Sequence, residues 1–457
     1  MNIGLIKNKR FSVLGAGRSG IGVSKLLHKN DAIVFLSDNL PAEKLHYFKE
    51  DEFKKFGISY ELGNNSRKVF DTDYIVTSPG IYPDSEILIE AAKRNIKIVS
   101  EVEVAGWFCS VPVIAITGTN GKTTTTELIG AILKSAGFHV LICGNVGLAF
   151  SEIIDKINKT SVVVLEVSSF QLEYIYDFKP DVSLILNITP DHIDWHGTFE
   201  KYAEAKFKIN RNQDKENLLV INYDDLYLQK NTGRFGSKLG AFSVTKFSDN
   251  IIRVKSYISK GKIFYEAGSQ EEIILSNEIF LRGTHNLMNS MAAILAVKHF
   301  DVPASLIKST LKTFKGVEHR IEFVRALSGI EFYNDSKATN YDSLYVALES
   351  FGRNIILIMG GKKGADNFEK VSKLMNERVK LICAIGQSKD VIYENYKDSV
   401  KTLKFDSLKE AAEFAYEKAL SGDYVLFSPG YKSFDMFDNF EHRGKVFKEI
   451  VNSLKAK

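Results

Sequence analysis

The stretch that most constrains the fold is an apolar run, Val113 to Thr117, that leads directly into a glycine turn ending in Lys122 and two threonines. In phosphate-binding loops of this kind, backbone N–H groups surround the phosphates and the following helix adds its positive dipole end. The lysine meets phosphate oxygens, and a threonine hydroxyl reaches Mg²⁺. The stretch predicts a strand, a nucleotide-binding loop and a helix from Thr125 to Lys134, with ATP as the first candidate ligand.

The loop departs from the usual spacing, because Ile116 stands where the common pattern has its first glycine. A chance glycine loop is the alternative, but an apolar strand before the turn and a helix after it disfavour that interpretation. The shorter spacing points to a particular family of nucleotide sites.

Length and composition limit the class of protein. A chain of 457 residues exceeds what one core supports, and a typical domain size suggests roughly three domains. The apolar fraction of 44% and charged fraction of 25% are ordinary for a globular protein. The sequence contains neither an apolar run of the roughly 20 residues that a membrane helix needs nor a signal peptide. We therefore expect a cytoplasmic protein with no membrane insertion.

Cysteine usage argues against disulfides and a zinc site, and the charge gives no support for nucleic-acid binding. Cys109, Cys143 and Cys383 are isolated in apolar surroundings without metal-ligand spacing, which predicts buried thiols. The net charge is only +4, and the lysines are scattered. Nucleic-acid binding therefore has no support.

The first segment contains a second glycine turn, Gly15 to Gly20, between a short strand and a helix. The turn matches the G-x-G-x-x-G fingerprint, and Asp38 ends the next strand, which predicts a dinucleotide site with this carboxylate on a ribose hydroxyl. NAD, another diphosphate nucleotide and a purely structural turn all remain open. A further strand, Tyr74 to Thr77, ends beside Gly80 at the edge where such sheets bind ligands.

The remaining segments also alternate strands and helices. Val162 to Val167 and Val182 to Ile188 are the near-continuous apolar runs of a buried parallel sheet. Beyond Asp224, short alternating strands such as Ile251 to Ile258 and Lys262 to Glu266 predict an antiparallel flap. A third α/β segment opens near Gly316, so three glycine-punctuated α/β units are expected, with ligands in clefts between them.

Two segments of the central region carry candidate metal ligands. Glu166 ends a buried strand, where a charge is costly unless it is satisfied, and it suits Mg²⁺; a hydrogen-bonded structural carboxylate is the alternative. His192 lies with Asp191 and Asp194 in a loop after another strand. This loop predicts a second metal or a substrate contact, or else a merely solvated turn.

Lys206 lies on the apolar stripe of a helix predicted from Phe199 to Ile209. A lysine that extends its amine to the surface is one interpretation. The other is a desolvated, neutral amine that reacts with CO₂ to form a carbamate, which supplies a carboxylate near a metal.

Charged turns recur in the third segment. Arg320 precedes the turn from Asn334 to Asn340, which contains Lys337. These two basic groups fit phosphate oxygens or a carboxylate. The turns Gly360 to Asp366 and Ser428 to Asp435 follow strands in the same way. Solvated charge is the alternative for each residue taken singly.

Together these residues resemble the ATP-dependent Mur ligases of peptidoglycan synthesis, a pathway that serves cell shape and cell division. The similarity spans nearly the whole chain, and the loop's unusual spacing is the family's own form. The segments that carry it, in order, are Gly118 to Thr124, the Glu166 strand, Asp191–His192, Lys206, His285–Asn286, His319–Arg320, Asn334 to Asn340 and Ser433 to Asp435. The first turn, with Ser433 to Asp435 and Asn439 to Gly444, most resembles the member that adds D-glutamate to UDP-N-acetylmuramoyl-L-alanine.

The resemblance implies a three-domain α/β fold with a Rossmann-like UDP-sugar domain (1–101), a central ATPase-like parallel sheet with an antiparallel flap (102–315) and a Rossmann-like D-glutamate domain (316–457). It implies ATP and two Mg²⁺ ions, one held through carbamylated Lys206, with Lys122, His192 and Lys206 as catalytic residues. The implied metal ligands are Thr123, Glu166, His192 and Lys206. The implied ATP contacts are Gly118, Thr119, Asn120, Gly121, Lys122, Thr123, Thr124, Asn286, Asn289, Arg320 and Asp335. The implied substrate contacts are Gly17, Arg18, Ser19, Asp38, Gly80, Asn145, Ser168, Lys337, Thr339, Lys363, Ser433, Phe434 and Phe440.

The Gly360 turn is one residue shorter than in the family, so Lys362 could take the role of Lys363. The resemblance further implies an acyl-phosphate intermediate, and we expect a monomer. Three alternatives remain: a sister ligase or folylpolyglutamate-like enzyme, an NAD-dependent oxidoreductase, and a nucleotide-driven binding protein that makes no covalent product.

Overall fold

The computed structural model describes residues 6–245, 247, 252–364 and 366–457. These residues form two compact units. One unit contains the chain up to Glu278 together with Met288–Lys312, and the other contains Ile279–Leu287 and Thr313–Lys457. Within the described ranges no helix is long and apolar enough to cross a membrane.

The first unit opens with a parallel sheet in the strand order β3-β2-β1-β4-β5. Its strands are β1 (Arg10–Leu14), β2 (Ile33–Asp38), β3 (Ser59–Leu62), β4 (Tyr74–Thr77) and β5 (Lys97–Ser100). Its helices are α1 (Arg18–Lys29), α2 (Glu50–Phe56) and α3 (Glu86–Lys93). The strand predicted over Tyr74 to Thr77 is β4.

A larger sheet follows α4 (Glu101–Phe108), whose N-terminus is capped by the Ser100 hydroxyl. Its order is β14-β13-β12-β11-β10-β9-β6-β8-β7. The strands are β6 (Val113–Thr117), β7 (His139–Gly144), β8 (Ser161–Glu166), β9 (Val182–Ile185), β10 (Leu218–Asn222), β11 (Lys238–Ser243), β12 (Val254–Ser259), β13 (Lys262–Ala267) and β14 (Ser269–Leu275). The helices are α5 (Lys122–Ser135), α6 (Phe150–Ile153), α7 (Ser169–Glu173), α8 (Ile193–His196), α9 (Phe199–Phe207), α10 (Leu226–Lys230), α11 (Thr284–Lys298) and α12 (Ala304–Thr313).

This larger sheet confirms the parallel core predicted from the apolar runs. Strands β6 to β12 are mutually parallel, and β6 and β8 are buried at every residue. The antiparallel flap is β13 and β14, which extend the edge of the same sheet beyond β12. The predicted strand from Ile251 begins outside the described residues.

The second unit forms a sheet in the order β15-β16-β20-β17-β18-β19, parallel except for the edge strand β15. The strands are β15 (Glu322–Leu327), β16 (Ile330–Asn334), β17 (Ile355–Gly360), β18 (Val379–Ile385), β19 (Thr402–Lys404) and β20 (Tyr424–Phe427). The helices are α13 (Tyr341–Glu349), α14 (Phe368–Arg378), α15 (Lys389–Tyr396), α16 (Leu408–Lys418) and α17 (Phe440–Ser453). Apolar residues on both sheet faces are buried against these helices, as expected for parallel strands.

At the phosphate-binding loop, two predicted boundaries were wrong by three residues each. Helix α5 begins at Lys122 rather than Thr125, because left-handed Gly121 turns the chain directly into the helix. Strand β9 ends at Ile185 rather than Ile188, because the following residues leave the sheet to bind the loop. Of the three cysteines, Cys143 and Cys383 are buried as predicted, whereas Cys109 is only partly buried.

Candidate active site

The glycine turn after β6 has the form of a phosphate-binding loop. Gly118 and Gly121 have φ values of 152° and 86°, a region that favours glycine. A Cβ on Gly121 would lie 2.4 Å from Oδ1 of Asn289 on α11, so the loop passes close to this predicted contact. Helix α5 directs its first backbone N–H groups into the turn, and such a helix N-terminus binds anions.

Asn187 holds the loop, and the sequence analysis missed it. Its Oδ1 accepts the Asn120 N–H at 2.8 Å, its Nδ2 donates to the Asn120 carbonyl at 3.0 Å, and its own carbonyl accepts the Thr119 N–H at 3.0 Å. The Thr119 hydroxyl lies 2.9 Å from the Tyr202 hydroxyl. The available signal was a polar residue inside the apolar run that ends at Ile188.

Two lysines converge on the loop. Nζ of Lys122 donates to the carbonyls of Gly118 and Thr119 at 2.8 and 2.9 Å. Nζ of Lys206 donates to the same Gly118 carbonyl at 3.0 Å. The two amines therefore lie close together at the loop, and the Lys122 ammonium places positive charge where phosphate is expected.

Lys206 is 2% exposed, and its ammonium lies 4.6 Å from the centre of the Tyr202 ring. Burial, and secondarily the charge of Lys122, lowers the pKa of this amine well below its ordinary value. The interpretation of Lys206 as a surface-reaching lysine is therefore wrong. Helix α9 turns the residue inward because Tyr202 and Ala203 on the same stripe are buried.

Glu166 provides a test of whether the site fits a divalent cation. Its carboxylate is buried, and Oε1 accepts a hydrogen bond from Nδ2 of Asn145 at 2.9 Å. Oε2 is buried and has no hydrogen-bond partner among the described residues. A buried, unpaired carboxylate oxygen fits Mg²⁺. Glu166 and Thr123 both line a cavity of about 440 Å³.

The described residues contain no group of three or more histidine, cysteine, aspartate or glutamate side chains that could hold a metal. A cation at Glu166 would therefore take further ligands from hydroxyls, phosphate oxygens and water, which is how Mg²⁺ binds in nucleotide sites. The residues around Glu166 fit such an ion.

His192 precedes α8 in a left-handed conformation with φ of 51°. Its ring lies 4.8 Å from that of Phe170 and 6.4 Å from that of Tyr202. Tyr202 in turn touches Thr119 and Lys206, so the histidine reaches the loop through this tyrosine. Ser168 caps α7 by accepting the Gln171 N–H.

The glycine turn of the first sheet lies beside Asp38. One carboxylate oxygen accepts the Ala16 N–H at 2.7 Å, and the other accepts the Leu40 N–H at 2.8 Å. Gly17 precedes α1, and Ser19 lies in its first turn. Arg18 donates to the Tyr47 hydroxyl at 2.9 Å and to the carbonyl of Gly147, next to the Asn145 loop. Gly80 lies in the loop after β4.

In the second unit, Asp335 directly follows β16. Its oxygens accept the Ile321 N–H at 3.1 Å and the Ser428 hydroxyl at 2.7 Å. Burial raises the pKa of Asp335 to about 7, while the charges of Arg320 and Arg443 act in the opposite direction. Arg320 and Asp335 therefore lie close enough to interact, and their contact with ATP stays a prediction.

The predicted substrate residues of this unit follow the neighbouring strands β16, β17 and β20. Nζ of Lys337 lies 5.3 Å from the centre of the Phe440 ring. Ser433 is buried, whereas Phe434 is 62% exposed. Thr339 is partly buried, Lys363 is exposed, and Asn286 donates to the Arg282 carbonyl at 2.8 Å.

Buried Arg443 was missed by the sequence analysis. Its guanidinium donates to the hydroxyl and carbonyl of Ser336 at 3.0 and 2.7 Å and to the Tyr431 carbonyl at 3.0 Å. It therefore ties the Lys337 turn to the segment before Ser433. No local sequence signal distinguishes it from a surface arginine of α17.

Three family models match the chain: MurD N-terminal domain over residues 10–87, Mur ligase middle domain over 116–297 and Mur ligase, glutamate ligase domain over 319–430. A UDP-N-acetylmuramoylalanine–D-glutamate ligase of Caldicellulosiruptor bescii is 41% identical and covers 98% of each chain. The enzyme of the same name from Chloroherpeton thalassium is 37% identical over 98% of this chain and 99% of its own.

Solved structures share the fold. The UDP-N-acetylmuramate-alanine ligase MurC of Thermotoga maritima matches with a TM-score of 0.56 at 19% identity, covering 98% of this chain and 100% of its own. MurF ligase of the same organism, in complex with ADP, matches with a TM-score of 0.55 at 18% identity, covering 99% and 97%. Given these matches, the chain belongs to the Mur ligase family, in the group of the UDP-N-acetylmuramoylalanine–D-glutamate ligases.

Proposed function

We propose that this protein joins the amine of D-glutamate to the L-alanine carboxyl of UDP-N-acetylmuramoyl-L-alanine, converting ATP to ADP and phosphate. The choice of substrates is supported by the names of full-length relatives. The observation that carries the phosphate chemistry is the position of the Lys122 ammonium, which donates to the Gly118 and Thr119 carbonyls within the loop. It places at the loop a positive charge that a triphosphate needs.

The ATP contacts are proposed as predicted. In the first unit the loop wraps the phosphates with backbone N–H groups while Lys122 faces their oxygens. The proposed set is Gly118, Thr119, Asn120, Gly121, Lys122, Thr123, Thr124 and Asn289, with Asn286, Arg320 and Asp335 of the second unit.

The proposed Mg²⁺ ligands are Thr123, Glu166, His192 and carbamylated Lys206. When bound, Mg²⁺ offsets the repulsion between anionic substrates. The unpaired Oε2 of Glu166 supports its place in this set.

Carbamylation of Lys206 is supported by its burial, since a buried amine is poorly solvated as an ammonium. The neutral nitrogen attacks the carbon of CO₂ and releases one proton to solvent, leaving an anionic carbamate. Native mass spectrometry with labelled CO₂ tests this step, and we expect an adduct in the parent protein that Lys206→Met lacks. Absence of the adduct in the parent, or parent-like activity of Lys206→Met, would contradict the carbamate.

The reaction then follows from charge and position. The L-alanine carboxylate attacks the γ-phosphorus of ATP, ADP leaves, and an acyl phosphate forms. The free amine of D-glutamate attacks the acyl carbon. The nitrogen of the tetrahedral adduct releases one proton, and collapse of the adduct breaks the carbon–oxygen bond to phosphate, which leaves the amide. Lys122 stabilises the negative charge on the transferring phosphoryl oxygens.

The substrate contacts and domain bounds are likewise proposed as predicted. The UDP-sugar would contact Gly17, Arg18, Ser19, Asp38, Gly80, Asn145, Ser168 and His192, and D-glutamate would contact Lys337, Thr339, Lys363, Ser433, Phe434 and Phe440. The proposed domains are 1–101, 102–315 and 316–457. The cytoplasmic location and the monomeric state stay predictions of the sequence.

Phosphate release from ATP in the presence of UDP-N-acetylmuramoyl-L-alanine and each candidate amino acid tests the function. We expect stimulation by D-glutamate, and mass spectrometry should detect the new amide. Stimulation by another amino acid alone would assign a sister ligase. ADP formation without amide would indicate a nucleotide-driven binding protein, and tight NADH binding seen by fluorescence would revive the oxidoreductase.

A further inference from the structure

Two lysines of the second unit stand directly opposite each other on paired backbone. Lys362 and Lys432 form an isolated antiparallel bridge, in which the Lys362 N–H donates to the Lys432 carbonyl at 2.8 Å. Residues opposite each other in such a pair have Cβ atoms about 4.5–5.5 Å apart on the same face. Both side chains are exposed, and neither ammonium has a hydrogen bond or ion pair to any described residue.

The backbone beneath this pair is fixed. A Cβ on Gly361 would lie 2.3 Å from the Lys432 carbonyl oxygen, so the two segments approach as closely as glycine allows. The carbonyl of Tyr431 accepts a hydrogen bond from buried Arg443 at 3.0 Å, and its hydroxyl donates to Asp366. These contacts hold the backbone of the two lysines together.

Like charges directly opposite each other across paired strands destabilise the pairing. An anion between the two ammonium groups reverses that penalty, because each then gains a charge-assisted contact. In the described part of the chain no carboxylate occupies this place. The arrangement is thus complementary to a ligand that brings its own carboxylate.

The pair lies at the edge where the substrate residues of this unit gather. Lys362 follows β17 and Lys432 follows β20, which are adjacent parallel strands. Lys337 follows β16, on the other side of β20, and Ser433 is the next residue after Lys432. Positive groups at one sheet edge suit an amino acid with two carboxylates.

We infer that Lys362 and Lys432 form a clamp for one carboxylate of the amino-acid substrate. This inference rests on the proposed function and adds Lys432 as a specificity-determining residue. It also selects Lys362 as the clamp lysine of the Gly360 turn, because Lys362 and not Lys363 is paired with Lys432.

The first experiment measures the KM of the full-length enzyme for each substrate. Losing one charge-assisted contact corresponds to about tenfold in affinity, so Lys432→Met should raise the KM for D-glutamate by about that factor. The kcat and the other two KM values should stay within about twofold. Lys432→Arg should restore most of the affinity, and Lys373→Met, which removes an exposed lysine of α14, is the matched control.

A second measurement separates binding from a structural role. Without ligands, the unfolding midpoint of Lys432→Met should equal or exceed that of the parent, because repulsion is relieved. The rise in midpoint caused by saturating D-glutamate should shrink in the variant. A lower midpoint without ligand, or an equal rise with D-glutamate, would contradict the clamp.

The double variant tests whether the lysines act on one anion. Lys362→Met and Lys432→Met should combine less than additively on the KM for D-glutamate. If Lys432→Met and Lys373→Met have the same KM for D-glutamate while D-glutamate stimulates the parent, the clamp is overturned and the proposed function stands. If the parent shows no D-glutamate-dependent phosphate release, the proposed function fails and the clamp falls with it.

Discussion

The two glycine turns of the first unit look alike in sequence and differ in charge. Each follows a parallel strand and opens a helix, β1 and α1 in one case and β6 and α5 in the other. In the first turn a carboxylate, Asp38, accepts the Ala16 N–H. In the second turn the Lys122 ammonium and the buried Lys206 amine donate to the Gly118 carbonyl.

This difference shows how charge distinguishes two copies of one backbone motif. Asp38 occupies a backbone donor and holds the first turn closed, and Arg18 is the proposed cation there. In the second turn Asn187 accepts the Thr119 and Asn120 N–H groups, and the positive charge comes from the Lys122 ammonium and the N-terminus of α5, which suits a phosphate chain. Charge around the turn, rather than glycine spacing alone, separates the proposed UDP and ATP sites.

The largest expected effect comes from removing a cation at the second turn. Lys122→Ala should lower kcat for phosphate release by about a thousandfold, since one preorganised donor to developing charge is worth that much. Binding of the UDP substrate, followed by calorimetry, should change by less than about twofold because its proposed turn is separate. Lys159→Ala, an exposed lysine of the same unit, is the control. Loss of both phosphate release and UDP-substrate binding in Lys122→Ala would mean that the two turns are not independent.

A buried glutamate between the two sheets of the first unit makes the free energy of unfolding depend on pH. Glu101 opens α4 directly after β5, and its Oε1 accepts the Ser151 N–H of α6 at 2.6 Å. Oε2 is buried and has no hydrogen-bond partner among the described residues. Burial raises the pKa of Glu101 from 4.5 to about 7. Between these values the folded state keeps a proton that the unfolded chain has released, so stability falls as pH rises.

Glu101→Gln should remove this loss, which amounts to about 3 kcal/mol once the pH exceeds the folded pKa. Urea unfolding near pH 5 and near pH 8 measures it. The variant should match the parent at the lower pH and exceed it at the higher. Glu103→Gln is the contrasting control, because that carboxylate accepts the N–H groups of Tyr176, Asp177 and Phe178, and its loss should destabilise at both pH values.

Much of the second turn could be predicted because its signals are local. The apolar run before Gly118 and the lysine after Gly121 lie within a few residues of each other, and they set the strand, the turn and the helix. The place of Lys206 on an apolar stripe was visible, but whether its amine reached the surface or stayed buried was not. Its approach to Gly118, 88 positions away, was not visible, because it depends on where α9 lies on the sheet.

The residues that sequence reasoning missed act through distant partners. In the sequence, Asn187 is only a polar residue that interrupts an apolar strand. The structure shows that the chain leaves the sheet there and that Asn187 forms two hydrogen bonds with Asn120. Arg443 joins segments that are far apart in sequence. Pairwise contacts of this kind have no periodic signature, so composition and spacing could not reveal them.

A packing test separates the two glycines of the first turn. A Cβ on Gly20 would lie 1.8 Å from the Gly15 carbonyl oxygen, whereas one on Gly17 would have nothing within 4 Å. Gly20→Ala should therefore destabilise the protein by about 2 kcal/mol through overpacking, measured by urea unfolding. Gly17→Ala is the matched control and should leave stability nearly unchanged. Equal effects would mean that the turn adapts to the added methyl group.

The smallest expected effect comes from changing Asp38, the carboxylate at the first glycine turn. In Asp38→Asn the amide oxygen can still accept one N–H, but the charge is lost and the other donor, at Ala16 or Leu40, faces an amide NH₂. The turn should loosen, raising the KM for the UDP substrate severalfold, about 1 kcal/mol. The KM for ATP should not change, because Lys122 and Lys206 hold the second turn without Asp38. Asp31→Asn removes an exposed carboxylate from the turn before β2 and serves as the control. If the KM for ATP rose instead, the carboxylate would be acting on the second turn, and the division of the two turns by charge would be wrong.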